Sequence, residues 1–199
     1  MISRLMAIVF PVVFLAGLSF AQEKAEKAVE KPAKNPIVKI ETNYGDIYLE
    51  VFLNETPIHA RNFLSKVDEG KYDSLTFHRV AKGFVIQGGD PTGKGSGSMG
   101  PDRLADEVSP FPQVRGTVAM ARSGMGASNC QFYINLKDNT PLDKQKFSSF
   151  ARVIYGMDVA DQIDQVETGG PRGETPAKTI YMTKLSRVDK IPEKIEVKK

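Results

Sequence analysis

Between residues 36 and 188 the chain alternates apolar and polar residues in short runs, and Gly, Pro or Asn closes most of them. Val38 and Ile40 alternate with Lys39 and Glu41, and Ile47, Leu49 and Val51 alternate with Tyr48 and Glu50. Asn43-Tyr44-Gly45 between them is a turn signal, so this stretch predicts a β-hairpin with one buried face. Further strands are predicted over Thr76 to Val80, Phe84 to Gln87, Thr117 to Ala121, Gln131 to Leu136, Phe150 to Tyr155 and Thr179 to Val188. The Gly-, Ser- and Asn-rich segment from Arg122 to Asn129 is expected to be a loop between two of them.

Only two stretches carry helical spacing. In the first, Ala60, Phe63, Leu64 and Val67 form an apolar stripe, Thr56 is the expected N-cap, Pro57 the first helical residue and Gly70 the C-terminal stop. His59 is expected on its solvent face. Asn54-Glu55-Thr56 matches a glycosylation sequon, but a three-residue match carries little weight and the cap already accounts for Thr56. The second helix, Met157 to Val166, has Val159, Ile163 and Val166 on one side. Short strands, two helices far apart and Gly/Pro turns predict a mainly-β domain. Its sheet should be antiparallel, closed or sandwiched, rather than βαβ.

The ends read differently. Arg4 precedes an apolar run from Leu5 to Phe20, and Ser19-Phe20-Ala21 offers small residues where a signal peptidase cuts. Residues 1–21 are therefore expected to be a signal peptide removed before Gln22, which makes the protein periplasmic or secreted. The rival is a retained membrane anchor, but the run falls short of the roughly 20 residues of a spanning helix. Residues 22–35 are charged, Ala-rich and poor in apolar anchors, as in a flexible linker, and 189–199 form a polar tail. The single Cys130 cannot form an internal disulfide, so the domain at 36–188 must rely on its core. A net charge of +3, spread along the chain, offers no basis for nucleic-acid binding.

The most distinctive stretch runs from Phe77 to Asp90, Phe-His-Arg-Val-Ala-Lys-Gly-Phe-Val-Ile-Gln-Gly-Gly-Asp. It predicts two strands joined at Ala81-Lys82-Gly83 and stopped by Gly88-Gly89-Asp90-Pro91. Strict alternation puts Arg79 on the face of Phe77, Gln87 on that of Val85, and His78 away from Arg79. Paired as a hairpin, the strands would set a cation and an amide beside apolar groups, a floor for a peptide groove. Gly93 to Gly100 comes next as a mobile glycine-rich loop. Gly88 to Lys94 fits G-x-x-x-x-G-K, but Gly95 stands where a Ser or Thr should hold magnesium, which argues against a nucleotide site.

This stretch, together with Gly116-Thr117-Val118-Ala119-Met120-Ala121-Arg122 and Ser128-Asn129-Cys130-Gln131-Phe132-Tyr133-Ile134-Asn135, resembles the cyclophilin family of peptidyl-prolyl isomerases. The likeness extends from about Pro36 to Val188. It implies a closed eight-stranded antiparallel β-barrel with a helix over each end, acting on proline-containing polypeptides. By that resemblance Phe84, Val85, Tyr133, Leu142 and Phe147 would surround the proline ring. Gln87 and Gln131 would hold the substrate backbone, and Ala121 and Arg122 would line the neighbouring groove. Arg79, Phe84 and Gln87 form the expected catalytic set. Pro141 stands where many members carry Trp or Phe, and Phe147 where His or Tyr is usual, so cyclosporin binding is expected to be weak. Arg122 replaces the Asn of eukaryotic members, as bacterial ones commonly do, and together with the expected signal peptide the resemblance is to a bacterial, exported form.

The chemistry the chain lacks is equally informative. Two His and one Cys, widely spaced, cannot make a protein-only zinc site. No nucleophile triad, calcium loop or dinucleotide fingerprint stands out. No metal or other cofactor is expected, and the protein is expected to act as a monomer, off the membrane once the signal is removed. Prolyl isomerisation requires neither nucleophile nor metal. In the twisted transition state the proline nitrogen regains a lone pair, and a guanidinium that is always charged can donate to it. Arg79 is the candidate donor. The alternative is a proline-peptide binding or chaperone module with the same groove and negligible turnover.

Overall fold

The computed structural model describes residues 34–191. The expected signal peptide and most of the expected linker and polar tail lie outside the described residues. Ten strands and two α-helices run in order: β1 (Ile37–Thr42), β2 (Gly45–Val51), α1 (Pro57–Asp68), β3 (Leu75–Ala81), β4 (Val85–Gly88), β5 (Thr117–Ser123), β6 (Gly126–Asn135), β7 (Ser149–Tyr155), α2 (Met157–Asp164), β8 (Thr168–Gly169), β9 (Thr175–Pro176) and β10 (Tyr181–Val188). Eight of the strands close into an antiparallel barrel in the order β1-β10-β3-β4-β6-β5-β7-β2. The two short strands, β8 and β9, pair with each other outside it.

The opening hairpin forms as its alternation predicts. Ile40 pairs with Ile47 and Val38 with Leu49, and all four side chains are buried inside the barrel. The Thr42 hydroxyl donates to the Gly45 carbonyl and accepts from the Tyr44 N–H, pinning the two-residue turn. α1 comes after the end of β2, and α2 after the end of β7, which runs antiparallel to β2. The helices therefore lie over opposite mouths of the barrel. Both send their apolar stripes into one interior cluster, Ala60, Phe63, Leu64 and Val67 from α1 and Val159, Ala160 and Ile163 from α2. Phe63 anchors it, with ring centroids 5.4 Å from Tyr72 and Phe132 and 5.0 Å from Phe150. Fully burying an aromatic ring of this kind contributes roughly 1.5–3 kcal/mol.

Several expectations need correction. Thr56 stands at the N-cap position of α1, but its hydroxyl donates to the Phe52 carbonyl instead of capping the helix. Two free N–H groups of the first turn, those of Ile58 and His59, go to the Glu107 carboxylate. The segment carrying Ala105 and Glu107 crosses this end of α1, so His59 is buried, 1% exposed, with Nε2 3.2 Å from the Ala105 carbonyl. Helical spacing along α1 could not reveal a cover supplied by residues 46 positions later. The Arg122–Asn129 segment is not a loop. β5 and β6 run on through it to a tight turn at Gly124-Met125, because ladder bonds are made by the backbone whatever the side chains. Nor does the glycine-rich loop hang free. Asp90, buried beneath it, accepts from the Thr92 N–H and hydroxyl and from the Gly97 N–H.

Gly88-Gly89 does more than stop a strand. A Cβ on Gly88 would lie 2.8 Å from the Thr76 carbonyl oxygen, and one on Gly89 2.6 Å from that of Cys130. Gly89 also has φ +83°, in the region that favours glycine. The chain leaves the barrel here at van der Waals contact with two neighbouring strands.

Candidate active site on the outer face of the barrel

The site is built by a change of register. On β3, Phe77 pairs with Gly88 but Arg79 pairs with Gln87, so two steps on β3 match one on β4. This is a β-bulge, and the extra residue is His78. Beyond it the alternation is reversed. Phe77 and Val80, three apart, both enter the interior cluster, whereas Arg79 and Ala81 face outward. Arg79 is thus not on the face of Phe77, and His78 does not turn away from it, since His78 and Arg79 line the same cavity.

From the bulge onward, pairing lines up two rows across four strands. Val80, Ile86, Ile134 and Val118 are successive partners pointing into the core. Arg79, Gln87, Tyr133 and Ala119 are successive partners pointing out. A second apolar cluster lies on this outer face: Ala81, Val85, Ala119 and Tyr133, with Phe84, Ala121, Leu142 and Phe147 packed on them. Leu142 comes from a 3₁₀ turn, Thr140–Gln145, started by Pro141, and Phe147 lies just beyond it. Pro141 itself is exposed and does not line the cavity.

A small cavity of 130 Å³ opens among Arg79, Phe84, Val85, Gln87, Ala121, Arg122, Tyr133, Leu142 and Phe147. Nine of the ten residues singled out from the sequence therefore surround one space. The tenth, Gln131, adjoins it through a relay: Arg79 Nη1 donates to Gln87 Oε1 (3.0 Å), Gln87 Nε2 to Gln131 Oε1 (2.9 Å), and Gln131 Nε2 to the Gly97 carbonyl (3.1 Å).

Two polar residues that the sequence pattern does not mark organise this face. Glu174 takes the other side of the guanidinium, accepting from Arg79 Nε at 2.8 Å and Nη2 at 3.0 Å. Its backbone carbonyl also accepts from the Val80 N–H, so the loop leading into β9 is pinned to β3 on both sides of the bridge. The hydrogen bonds from Arg79 hold the Glu174 carboxyl below the usual glutamate range. Of the five N–H bonds of the guanidinium, three are used and two remain for a ligand. The second residue is Gln113, fully buried behind the apolar cluster. Its Oε1 accepts from the Tyr133 hydroxyl (3.0 Å) and Asn135 Nδ2 (2.8 Å), and its Nε2 donates to the Phe147 carbonyl (3.2 Å) and Ser149 Oγ (3.0 Å). Burial drives the Tyr133 hydroxyl far above the ordinary tyrosine range, so it stays protonated and keeps donating. Tyr133 meets Phe147 edge to face, centroids 5.9 Å apart. No periodicity announces Gln113 or Glu174, because each belongs to an irregular segment.

The barrel and this arrangement have known counterparts. The family model of the cyclophilin type peptidyl-prolyl cis-trans isomerase/CLD matches residues 37–187. The chain belongs to that family. Peptidyl-prolyl cis-trans isomerase CYP18-1 of Arabidopsis thaliana is 38% identical over 153 residues, covering 75% of this chain and 94% of that protein. The mouse peptidyl-prolyl cis-trans isomerase-like 3 is 38% identical over 133 residues, 65% of this chain and 82% of the relative. Among solved structures, a cyclophilin type peptidyl-prolyl cis-trans isomerase of Cryptosporidium parvum superposes with a TM-score of 0.69 at 28% identity, covering 79% of this chain and 99% of that one. A second structure of that protein, in the presence of the dipeptide Ala-Pro, gives the same TM-score.

As a cyclophilin-type peptidyl-prolyl cis-trans isomerase, the protein displays on its outer face a cation whose orientation is set by Gln87 on one side and Glu174 on the other. The bridge has a pH signature. Because the folded-state value of Glu174 is lowered, its stabilisation is fully present above the ordinary carboxylate range and is lost as pH falls through the lowered value. Glu174→Gln should lower the unfolding free energy by up to about 1 kcal/mol at pH 7. Urea titrations should show that difference closing below about pH 4; a difference that persists undiminished at pH 3 contradicts the bridge.

Proposed function

We propose that the outer-face cavity is where this isomerase turns the X-Pro bond, with Arg79 stabilising the twisted amide and the apolar cluster holding the proline ring. Amide resonance sets a barrier of roughly 18–20 kcal/mol, so an unaided X-Pro bond turns over in tens to hundreds of seconds. A turnover of about a millisecond requires the barrier to fall by about 6–7 kcal/mol. Twisting breaks conjugation and returns the lone pair to the proline nitrogen. A guanidinium N–H directed at that nitrogen binds the twisted amide more strongly than the planar one, which is the differential that accelerates a reaction. The observation that carries this reading is the outward row Arg79, Gln87, Tyr133, Ala119, which sets a cation with two spare N–H groups at the rim of an apolar cavity. In this reading Val85, Phe84, Tyr133, Leu142 and Phe147 receive the ring, Gln87 and Gln131 hold the flanking backbone, and Ala121 and Arg122 border the groove. Weak cyclosporin binding belongs to the same reading, because Pro141 and Phe147 replace the residues that many members carry at those positions.

Arg79→Ala should reduce turnover of a neutral Ala-Pro peptide by roughly 10² to 10³-fold while peptide affinity changes much less. Equal rates in variant and wild type remove Arg79 from the mechanism. A folded wild type without turnover leaves a peptide-binding module.

The clients we propose are exported proteins, and the form a bacterial, exported one. The support is the apolar run Leu5 to Phe20 with small residues at Ser19 and Ala21. The intact mass of protein recovered from outside the cytoplasm should correspond to a chain beginning at Gln22. A mass beginning at Met1 overturns the cleavage and favours a membrane-tethered form.

A further inference from the structure

A second cavity, of 640 Å³, adjoins the first and shares Arg79, Gln87 and Arg122 with it. The bulge residue His78, the glycine-rich loop at Gly93-Lys94-Gly95 and the loop from Pro171 to Thr175 complete its wall. Its charge is lopsided. Four cations, Arg79, Lys94, Arg122 and Arg172, face one carboxylate, Glu174.

The internal pairings do not balance this. Glu174 is engaged by Arg79, and Arg172 Nε lies 3.7 Å from it, beyond hydrogen-bond range. Arg122 is bonded to Asp106, which also accepts from Lys146. The Lys94 ammonium has no hydrogen bond or ion pair among the described residues, and Arg172 is largely exposed. Crediting Asp106 wholly to Arg122 leaves two positive charges in excess among the lining residues, and Asp90, buried beneath the glycine-rich loop and acting on His78, offsets part of that excess. His78 adds none, since burial holds its ring below the ordinary histidine range and therefore neutral at pH 7. Gly93 and Gly95 flank Lys94, and a Cβ on Gly95 would lie 3.6 Å from His78 Nε2, so the loop packs against the bulge residue here.

A cleft lined by one sign of charge concentrates ligands of the other. We propose that this cavity receives the carboxylate of an acidic residue close to the substrate proline, with Lys94 and Arg172 as its ligands, so that the isomerase prefers acidic client segments. The inference rests on the reading that proline binds in the adjoining cavity, and it adds a substrate class to it. Both proposed ligands are solvent-exposed and screened, so the preference acts on KM and depends on salt.

The test is a peptide scan. Glu, Gln or Lys is placed in turn one and two residues after, and two and three residues before, the proline of a neutral Ala-Pro peptide. On one side of the proline, Glu should exceed Gln in kcat/KM by about three- to tenfold at low salt, with Lys below Gln, the gap residing in KM and shrinking in high salt. A Lys94→Gln, Arg172→Gln double variant should abolish that order while leaving the neutral peptide within about twofold of wild type. Equal rates for Glu, Gln and Lys at every position overturn the proposal and leave the isomerase site standing, as does a preference that survives the double variant. A neutral peptide that is not turned over at all strikes instead at the assignment of the proline cavity, and removes this proposal with it.

Discussion

The site depends on one extra residue. Without the bulge at His78, alternation along β3 would send Arg79 to the same side as Phe77, into a barrel interior packed with Phe132 and Ile86. A guanidinium there would be desolvated and without a partner, at a cost of several kcal/mol. The bulge turns the same side chain out onto the groove, opposite Gln87, and leaves Phe77 and Val80 to fill the core. Core and site are thus two consequences of one register shift.

Polar groups then fix the apolar surface of the groove in place. The ring of Tyr133 forms part of the cavity wall, but its hydroxyl is held from behind by Gln113, which also ties the Phe147 backbone and Ser149. Asn139 bonds the Phe84 carbonyl and Asn135 Oδ1, linking the start of the 3₁₀ turn to the same network. Phe84, Tyr133 and Phe147 come from three separate segments, and this network holds them together. Buried amides that are fully partnered restrict movement, whereas a half-partnered one would cost more than it contributes. On the other flank the Glu174 bridge limits where the guanidinium can point. A long side chain fixed from two sides loses less rotamer freedom when substrate binds.

The barrel was legible in the sequence because alternation has a period of two and the barrel has one interior. Ile40 opposite Ile47 needs nothing but that pattern, and the α1 stripe needs only helical spacing. The residues of the outer face were legible through the resemblance, not through alternation, which put Arg79 on the wrong side. A bulge leaves no mark in hydrophobic period until two inward residues, here Phe77 and Val80, are seen to stand three apart. His59 was misjudged for a different reason, since its cover comes from Ala105 and Glu107. Gln113 and Glu174 lie in irregular segments where no period exists, and only their partners reveal them. Local pattern carries local structure, while long-range polar contacts have to be seen.

The central claim is that proline peptides bind on the outer face along the row that begins at Arg79. The most direct measurement is an NMR titration of the isotope-labelled domain with an Ala-Pro peptide. Shift changes and exchange broadening should concentrate at Arg79, Gln87, Ala121 and Tyr133, with the Arg79 Nε–H among the strongest. The groove beside Val108, Ser109 and Lys146, a 460 Å³ cavity that touches the same region only at Phe147, should change little. Perturbations gathered at Val108 and Ser109, with Arg79 and Gln87 unmoved, would contradict the account.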